Sequence, residues 1–267
     1  MCRMLGVLST QAIPASKYLK DAECSLYRLA VLGQQGDGWG IGYYIDGKLD
    51  VFKSEKPVYE ESDLFENVVG ETRSRSLIAH VRKASNPRNL PRESLISKVN
   101  SQPFYHSSFL FVHNGTLFIP DQVLSELQGY RDLVLGINDS EVLFAYLLLN
   151  LRRSGNIEEA VNLVEKGLWE IHKKSGYSGE YPYSSLNFIF SDGKQLYAYE
   201  RYLVNPRITS YCNGTPYFEM YYHANEDEII VASEKLTLDD WEPIPNGGLL
   251  SAQITNDKIT FAVKKLH

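Results

Sequence analysis

Cys2 offers the most chemistry in this chain. Its side chain is small enough for the initiator Met1 to be trimmed, and the chain would then begin on a cysteine with a free α-amino group. One residue would hold a thiol nucleophile and, beside it, an amine whose reference pKa of roughly 7.7–8.0 makes a usable base near neutrality. An N-terminal nucleophile paired with its own amine is a known way to activate a weak nucleophile. A second-position cysteine also reads as a small buried hydrophobe, so other residues must support the chemistry. Arg82 closes a strand-like run in His80-Val81-Arg82-Lys83-Ala84-Ser85 and shares a face with His80 and Ile78. At a strand end an arginine can grip a carboxylate with two hydrogen bonds, or simply stand in solvent. Phe111-Val112-His113-Asn114-Gly115 ends another strand-like run in an Asn-Gly turn. The Asn114 amide and the Gly115 N–H could converge on one oxygen as an oxyanion hole, although Asn-Gly is also an ordinary turn signal. Asp139 and Ser140 stand where a helical pattern starts, so either could be its N-cap, a role that does not exclude ligand binding.

The flanking pattern supplies the elements that must carry these residues. Cys2 to Leu8 is a short apolar run that reads as a buried strand. Pro14 opens a helical pattern with an apolar stripe at Tyr18, Leu19, Ala22, Leu26 and Leu29, closed by Gly33. Trp39–Ile45 and Leu49–Phe52 flank Asp46-Gly47, a strong hairpin signal. Ser76–Val81 and Phe109–His113 read as strands, and Ser140–Leu151 and Ile157–Ile171 as amphipathic helices separated by Gly155-Asn156. Short strands follow at Leu186–Phe190, Gln195–Tyr199, Ile229–Ala232, Leu249–Ile254 and Ile259–Val263. Pro206 and Pro216 mark Tyr202–Met220 as irregular or edge structure. Strands, then helices, then strands, with no linker between them, predict one α+β domain with helices packed on sheets.

Composition bounds the function classes. The 267 residues carry 27 Lys and Arg against 33 Asp and Glu, a net charge of −6, with 43% apolar and 22% charged residues. That is ordinary globular composition, which excludes disordered and collagen-like chains. The acidic balance argues against a nucleic-acid binder. The longest apolar run, Val142–Leu149, is far too short for a membrane span. The three cysteines form no C-x-x-C pair, which argues against a disulfide framework and a cysteine-rich zinc site and favours a reducing, cytoplasmic setting. The six histidines make no H-x-x-x-H pair, so no metal is expected. Gly36–Gly42 fails the dinucleotide pattern because Ile41 stands at its final glycine position, so no cofactor is expected either.

Six short motifs occur in one order: Met1-Cys2-Arg3-x-Leu5-Gly6, Gly36-Asp37-Gly38-Trp39-Gly40-Ile41-Gly42, His80-x-Arg82-x-Ala84, Asn100-x-x-Pro103-Phe104, His113-Asn114-Gly115 and Asn138-Asp139-Ser140-Glu141. Each is weak alone. Together they resemble the class II, N-terminal nucleophile (Ntn) glutamine amidotransferase domain. The resemblance covers Cys2 to about Leu151, and Val231-Ala232-Ser233-Glu234 looks like that domain's closing strand and turn. The Gly-Trp-Gly variant, without an appended synthase, is most similar to a stand-alone subgroup. Some of its members release glutamate from γ-glutamyl thiol compounds in ergothioneine biosynthesis.

The resemblance implies an α+β, four-layer αββα sandwich spanning residues 1–267 as a single domain. It implies hydrolysis of the γ-amide of L-glutamine or of a γ-glutamyl small molecule through a glutamyl-thioester. Cys2 would attack the γ-carbonyl, and its amine, through a water, would move the proton. Asn114 and the Gly115 N–H would hold the oxyanion. Arg82 would bind the substrate α-carboxylate with Ser85 nearby, and Asp139 the α-ammonium. Gly38 and Trp39 would pass near the nucleophile, although Trp39 also reads as core. Gln102 stands where many relatives have His, at a position expected on the pocket rim, and Lys83 stands where fused relatives often have Trp. Cys24 and Cys212 are expected to be structural or surface thiols. Three rivals remain: a glutaminase subunit passing ammonia to a separate synthase, another Ntn amidase, and a non-catalytic γ-glutamyl binding protein that keeps Met1.

Overall fold

The computed structural model describes residues 2–204 and 208–267. Met1 and Pro206, both used above, lie outside the described residues. In chain order the strands are β1 (Arg3–Pro14), β2 (Trp39–Ile45), β3 (Lys48–Ser54), β4 (Arg73–Val81), β5 (Phe104–His106), β6 (Phe109–Asn114), β7 (Asn187–Ser191), β8 (Gln195–Glu200), β9 (Tyr221–Ala224), β10 (Glu228–Ala232), β11 (Glu242–Pro243), β12 (Gly248–Thr255) and β13 (Lys258–Lys265). The helices are α1 (Leu26–Leu32), α2 (Ser62–Glu71), α3 (Arg92–Leu95), α4 (Pro120–Glu126), α5 (Asp139–Ser154) and α6 (Ile157–Lys174).

Strand alternation divides the side chains between three apolar layers. The first sheet runs β11-β9-β10-β1-β4-β2-β3 and the second β13-β12-β8-β7-β6-β5, with antiparallel pairing throughout. Leu5, Val7, Trp39, Leu77, Ala79 and Ile230 point from the first sheet toward α1 and α2. Their neighbours Met4, Leu8, Ile78 and Ile229 point the other way, against Leu110, Val112 and Ile189 of the second sheet. Phe111, Phe188 and Phe190 leave the second sheet's far face to meet α5 and α6. The order is therefore helix, sheet, sheet, helix, the four-layer αββα sandwich that the resemblance implies. Gly6 lets the sheets close: a Cβ there would stand 2.7 Å from Ile189.

Helix α5 is buried from Asp139 to Asn150, which is why its sequence is a continuous apolar run and not a narrow stripe. Gly155 ends it in the left-handed conformation at φ 76°. The β2–β3 hairpin forms as expected, with Asp46 and Gly47 both at positive φ. The helix expected from Pro14 does not form as one piece. Pro14 closes β1, a short π-helix spans Lys17–Asp21, and the chain turns before α1 begins at Leu26. The stripe residues Tyr18, Leu19, Leu26 and Leu29 are still buried, so tertiary packing satisfies the apolar spacing across a break. Strand β5 and helices α2 and α4 had no assignment from sequence. They are short, and only their packing on longer neighbours identifies them.

Between Tyr202 and β9 the described chain is irregular, with Pro216 in an isolated bridge to Thr209 and its carbonyl accepting the Glu219 N–H. Within it lies a correction. Cys24 and Cys212 are a disulfide with Cα atoms 6.0 Å apart. They are 188 residues apart, so spacing carried no sign of the pairing, and the argument from cysteine count to a reducing compartment loses its basis. No helix among the described residues is long and apolar enough to cross a membrane.

Candidate active site

Three strand ends meet at one edge of the gap between the sheets. The β1–β4 register pairs Arg3 with Val81, so Cys2 lies beside Arg82. Both continue the faces of Met4 and Ile78, which point into the gap. Across it, Asn114 ends β6 on the face of Leu110 and Val112. The antiparallel pairing of β1 with β4 thus brings together residues eighty positions apart.

Cys2 is half-buried, and its sulfur contacts the backbone N–H and C=O of Lys83, each at 3.4 Å. Burial pushes the thiol pKa up, opposed by the Lys83 N–H and the Arg82 charge. A thiol raised in this way needs a base to become a nucleophile. Gly115 is glycine for lack of room: a Cβ would stand 2.1 Å from the Ser185 carbonyl oxygen. Asn114 is buried, and its Oδ1 has no hydrogen-bond partner.

Arg82 is 3% exposed. Its Nη1 donates to the carbonyls of Asp37 at 3.2 Å and Leu95 at 2.8 Å, with no carboxylate at ion-pair distance among the described residues. Burial lowers its pKa. Asp139 is 2% exposed. Its Oδ1 accepts from Ser85 Oγ and its Oδ2 from the Leu117 N–H, both at 2.8 Å, with no cation at ion-pair distance among the described residues. Arg82, Ser85 and Asp139 line one cavity of about 10 Å³, room for a single water. An amino acid does not fit a space of that size as it stands. Larger clefts, one of about 410 Å³ lined by His106, Tyr130 and Leu148, hold none of the candidate residues.

The helix start also differs from expectation. The N-cap of α5 is Asn138, whose Oδ1 accepts the Ser140 N–H at 2.8 Å. Neither Asp139 nor Ser140 caps it. The Asp139 carboxylate turns instead into the cavity, and Ser140 Oγ meets His113 Nδ1 at 2.9 Å.

Gly38 and Trp39 separate. Gly38, at φ 123°, accepts the Arg82 N–H at 2.8 Å, and a Cβ there would stand 2.7 Å from the Ser54 carbonyl oxygen. Trp39 pairs with Val81 and so lies on the opposite face of the sheet from Arg82. Its ring is buried against Phe52 and Phe65 with centroids at 4.9 and 5.3 Å, and its Nε1 donates to Glu61. It is core, not a substrate contact. Gln102 is also no rim residue. It is 2% exposed, and its amide accepts from the His113 N–H at 2.6 Å and donates to the His113 C=O at 3.1 Å. Arg88 is tied to Asp121 and to the Ile137 carbonyl, while Lys83 is exposed.

Two residues quoted in motifs had no assigned role. Asp37 presents its carbonyl to Arg82 and its carboxylate to Arg92 and the Ala84 N–H. Asn100 accepts the Ile137 N–H and donates to the Ser94 and Leu95 carbonyls, joining the two loops that wall the cavity. The clue available in sequence was a polar residue inside each motif.

The sequence and the fold both match known proteins. The family model of class-II glutamine amidotransferases matches residues 1–265. An uncharacterized protein of Methanocaldococcus jannaschii is 28% identical over 286 aligned positions, covering 100% of this chain and 72% of that one. The structure of a glutamine aminotransferase class-II domain protein from Silicibacter pomeroyi superposes with a TM-score of 0.67 at 20% identity, covering both chains fully. Glutamine phosphoribosylpyrophosphate amidotransferase from B. subtilis superposes at 0.63 with 18% identity, and this chain spans 49% of its length. A two-sheet sandwich with Cys2, Arg82 and Asn114 at one edge and a family match over nearly the whole sequence lead to one conclusion: the chain belongs to the class-II glutamine amidotransferases.

Proposed function

We propose that residues 1–267 form a single catalytic domain that hydrolyses the γ-amide of L-glutamine, or of a γ-glutamyl small molecule, with Cys2 as an N-terminal nucleophile. The observation that carries this reading is the pair of buried, oppositely charged side chains on one cavity, Arg82 and Asp139, neither with a charged partner at contact distance among the described residues. Burying an unpaired charge is costly, so the fold is not its own reason for keeping either. An amino-acid zwitterion supplies both missing partners at fixed spacing. A simple acyl amide supplies neither, which disfavours other Ntn amidases.

Once Met1 is removed, the new α-amine takes the Cys2 thiol proton through a water. The sulfur bonds to the γ-carbonyl carbon, and the carbonyl electron pair moves onto oxygen, held by the Asn114 amide and the Gly115 N–H. Collapse breaks the C–N bond, and the amine returns the proton to the departing ammonia or amine. Water then attacks the glutamyl-thioester, releasing glutamate and restoring the thiol. Removing Met1 also changes the sulfur's surroundings, placing a base beside a thiol that burial otherwise keeps protonated. A γ-glutamyl thiol compound, as in the ergothioneine-related subgroup, differs only in the leaving amine. Co-purification with a synthase would mark the ammonia-delivering role instead.

The test is intact mass to establish loss of Met1, followed by a glutamate-release screen over L-glutamine, γ-glutamyl amides and thiols, and N-acylated controls. Release from compounds with a free α-amine and α-carboxylate supports the reading. Loss of Met1 without release from any γ-glutamyl compound refutes it.

A further inference from the structure

Two orphaned polar groups line the gap between the sheets, beside the candidate nucleophile. His80 is fully buried, and neither ring nitrogen has a hydrogen-bond partner. Asn114 is 1% exposed, and its Oδ1 has none either. Buried polar atoms are nearly always satisfied, so two such residues on facing sheets call for a physical account. In the first sheet His80 pairs with Met4 and Gly40 and shares the gap-facing side of Ile78 and Arg82. Asn114 shares the gap-facing side of Leu110 and Val112 in the second. Strands β4 and β6 touch across the gap, and the His113 backbone, one residue before Asn114, lies near enough to favour the protonated His80 ring without forming a well-aligned hydrogen bond to it.

We propose that His80 is a positioning residue: it donates a ring N–H to Asn114 Oδ1 across one buried water, and so fixes which end of the Asn114 amide faces the substrate. The proposal rests on the reading of Asn114 as oxyanion donor. A side-chain amide has a donor end and an acceptor end of nearly the same shape. Only the Nδ2 end stabilises a developing oxyanion, and the Oδ1 end would repel it. A donor committed to Oδ1 holds the useful orientation before substrate arrives, which is the preorganisation an oxyanion hole depends on. Neutral imidazole carries one such N–H. Burial, with the Arg82 charge adding to it, pushes the His80 pKa down to about 3, so the ring is neutral at working pH and is no proton acceptor for Cys2.

The experiment compares His80→Leu, which removes the donor, with His80→Gln, which keeps one, each alone and combined with Asn114→Ala. Glutamine turnover, melting temperature and the ¹⁵N–¹H signals of the Asn114 side-chain amide are measured. His80→Leu is expected to lower kcat roughly three- to tenfold, the worth of one hydrogen bond, with little change in KM. His80→Gln should recover most of the loss. In the Asn114→Ala background His80→Leu should add nothing, because the two act on one contact. The Asn114 amide signals should move in His80→Leu and stay near wild type in His80→Gln. A folded His80→Leu with unchanged kcat, losses that add, or unmoved amide signals overturns the proposal. If the wild-type protein releases no glutamate, the functional reading fails, and the amide signals still decide whether His80 holds Asn114.

Discussion

Asp139→Asn separates a substrate ligand from a structural carboxylate. The carboxylate accepts from Ser85 Oγ and the Leu117 N–H, both at 2.8 Å. An asparagine can keep its oxygen on the Leu117 N–H and turn its amide toward Ser85, whose hydroxyl rotates to accept. Both bonds survive, and the cap is untouched because Asn138 provides it. The stability terms are small and opposed. A negative charge lost from the first turn of α5 costs about 0.3–1 kcal/mol, and removing a desolvated carboxylate offsets it. A chain of this size shifts by about 2–4 °C per kcal/mol, so the melting temperature should stay within a few degrees of wild type. Catalysis should not survive so well. The substrate ammonium would be buried without its counter-charge, at a cost of about 2–5 kcal/mol in kcat/KM by analogy with buried charge pairs. At about 1.4 kcal/mol per decade, this is a loss of about 30- to 4,000-fold on L-glutamine. N-acetylglutamine, which has no ammonium, should lose little. The assay is kcat/KM for both substrates with a thermal melt alongside. If a folded Asp139→Asn protein keeps the wild-type ratio between them, Asp139 only braces Ser85 and Leu117, and the zwitterion argument loses half its support.

Cys2→Ala should abolish glutamate release, and a γ-glutamyl diazoketone should label Cys2 while sparing Cys24 and Cys212; a peptide map with the adduct elsewhere removes Cys2 from the mechanism. Asn114→Ala should lower kcat by about 10²–10³ with a smaller change in KM, as for a lost oxyanion donor, and an effect confined to KM would make it a ground-state contact. Glu200 is buried with its pKa pushed up to about 9 from 4.5, chiefly by desolvation. Because the folded state holds this proton after the unfolded state has released it, Glu200 costs stability as pH rises from about 4.5 toward 9. Glu200→Gln should therefore stabilise the protein by an amount that grows with pH, on the order of 3 kcal/mol at pH 7. Denaturation midpoints at pH 5, 7 and 9 that move in parallel for the two proteins would refute this.

Local sequence determined the elements whose residues make their own case. The alternation in Trp39–Ile45 and Leu49–Phe52 around Asp46-Gly47 specifies a hairpin, because the turn needs positive φ at just those two residues. The helical period of Ser140–Leu151 and the motif order point to a helix and to the family, but the period reads as amphipathic, and the burial of α5 on every side comes from packing against α6 and the second sheet. Arg82, Asn114 and Asp139 were legible as strand-end and helix-start residues with unusual chemistry. Everything that depends on which strand lies beside which was not. The sheet face of Trp39 follows from the β2–β4 register, and that register puts it in the core. Gln102 is buried because β6 accepts its amide, a pairing with no spacing rule. Cys24 finds Cys212 across 188 residues, and Asp139 enters the cavity because Asn138 takes the cap. A side chain's type and period are written locally, whereas its partner is chosen by long-range register and packing, and most of the residues that wall this site are held by such partners.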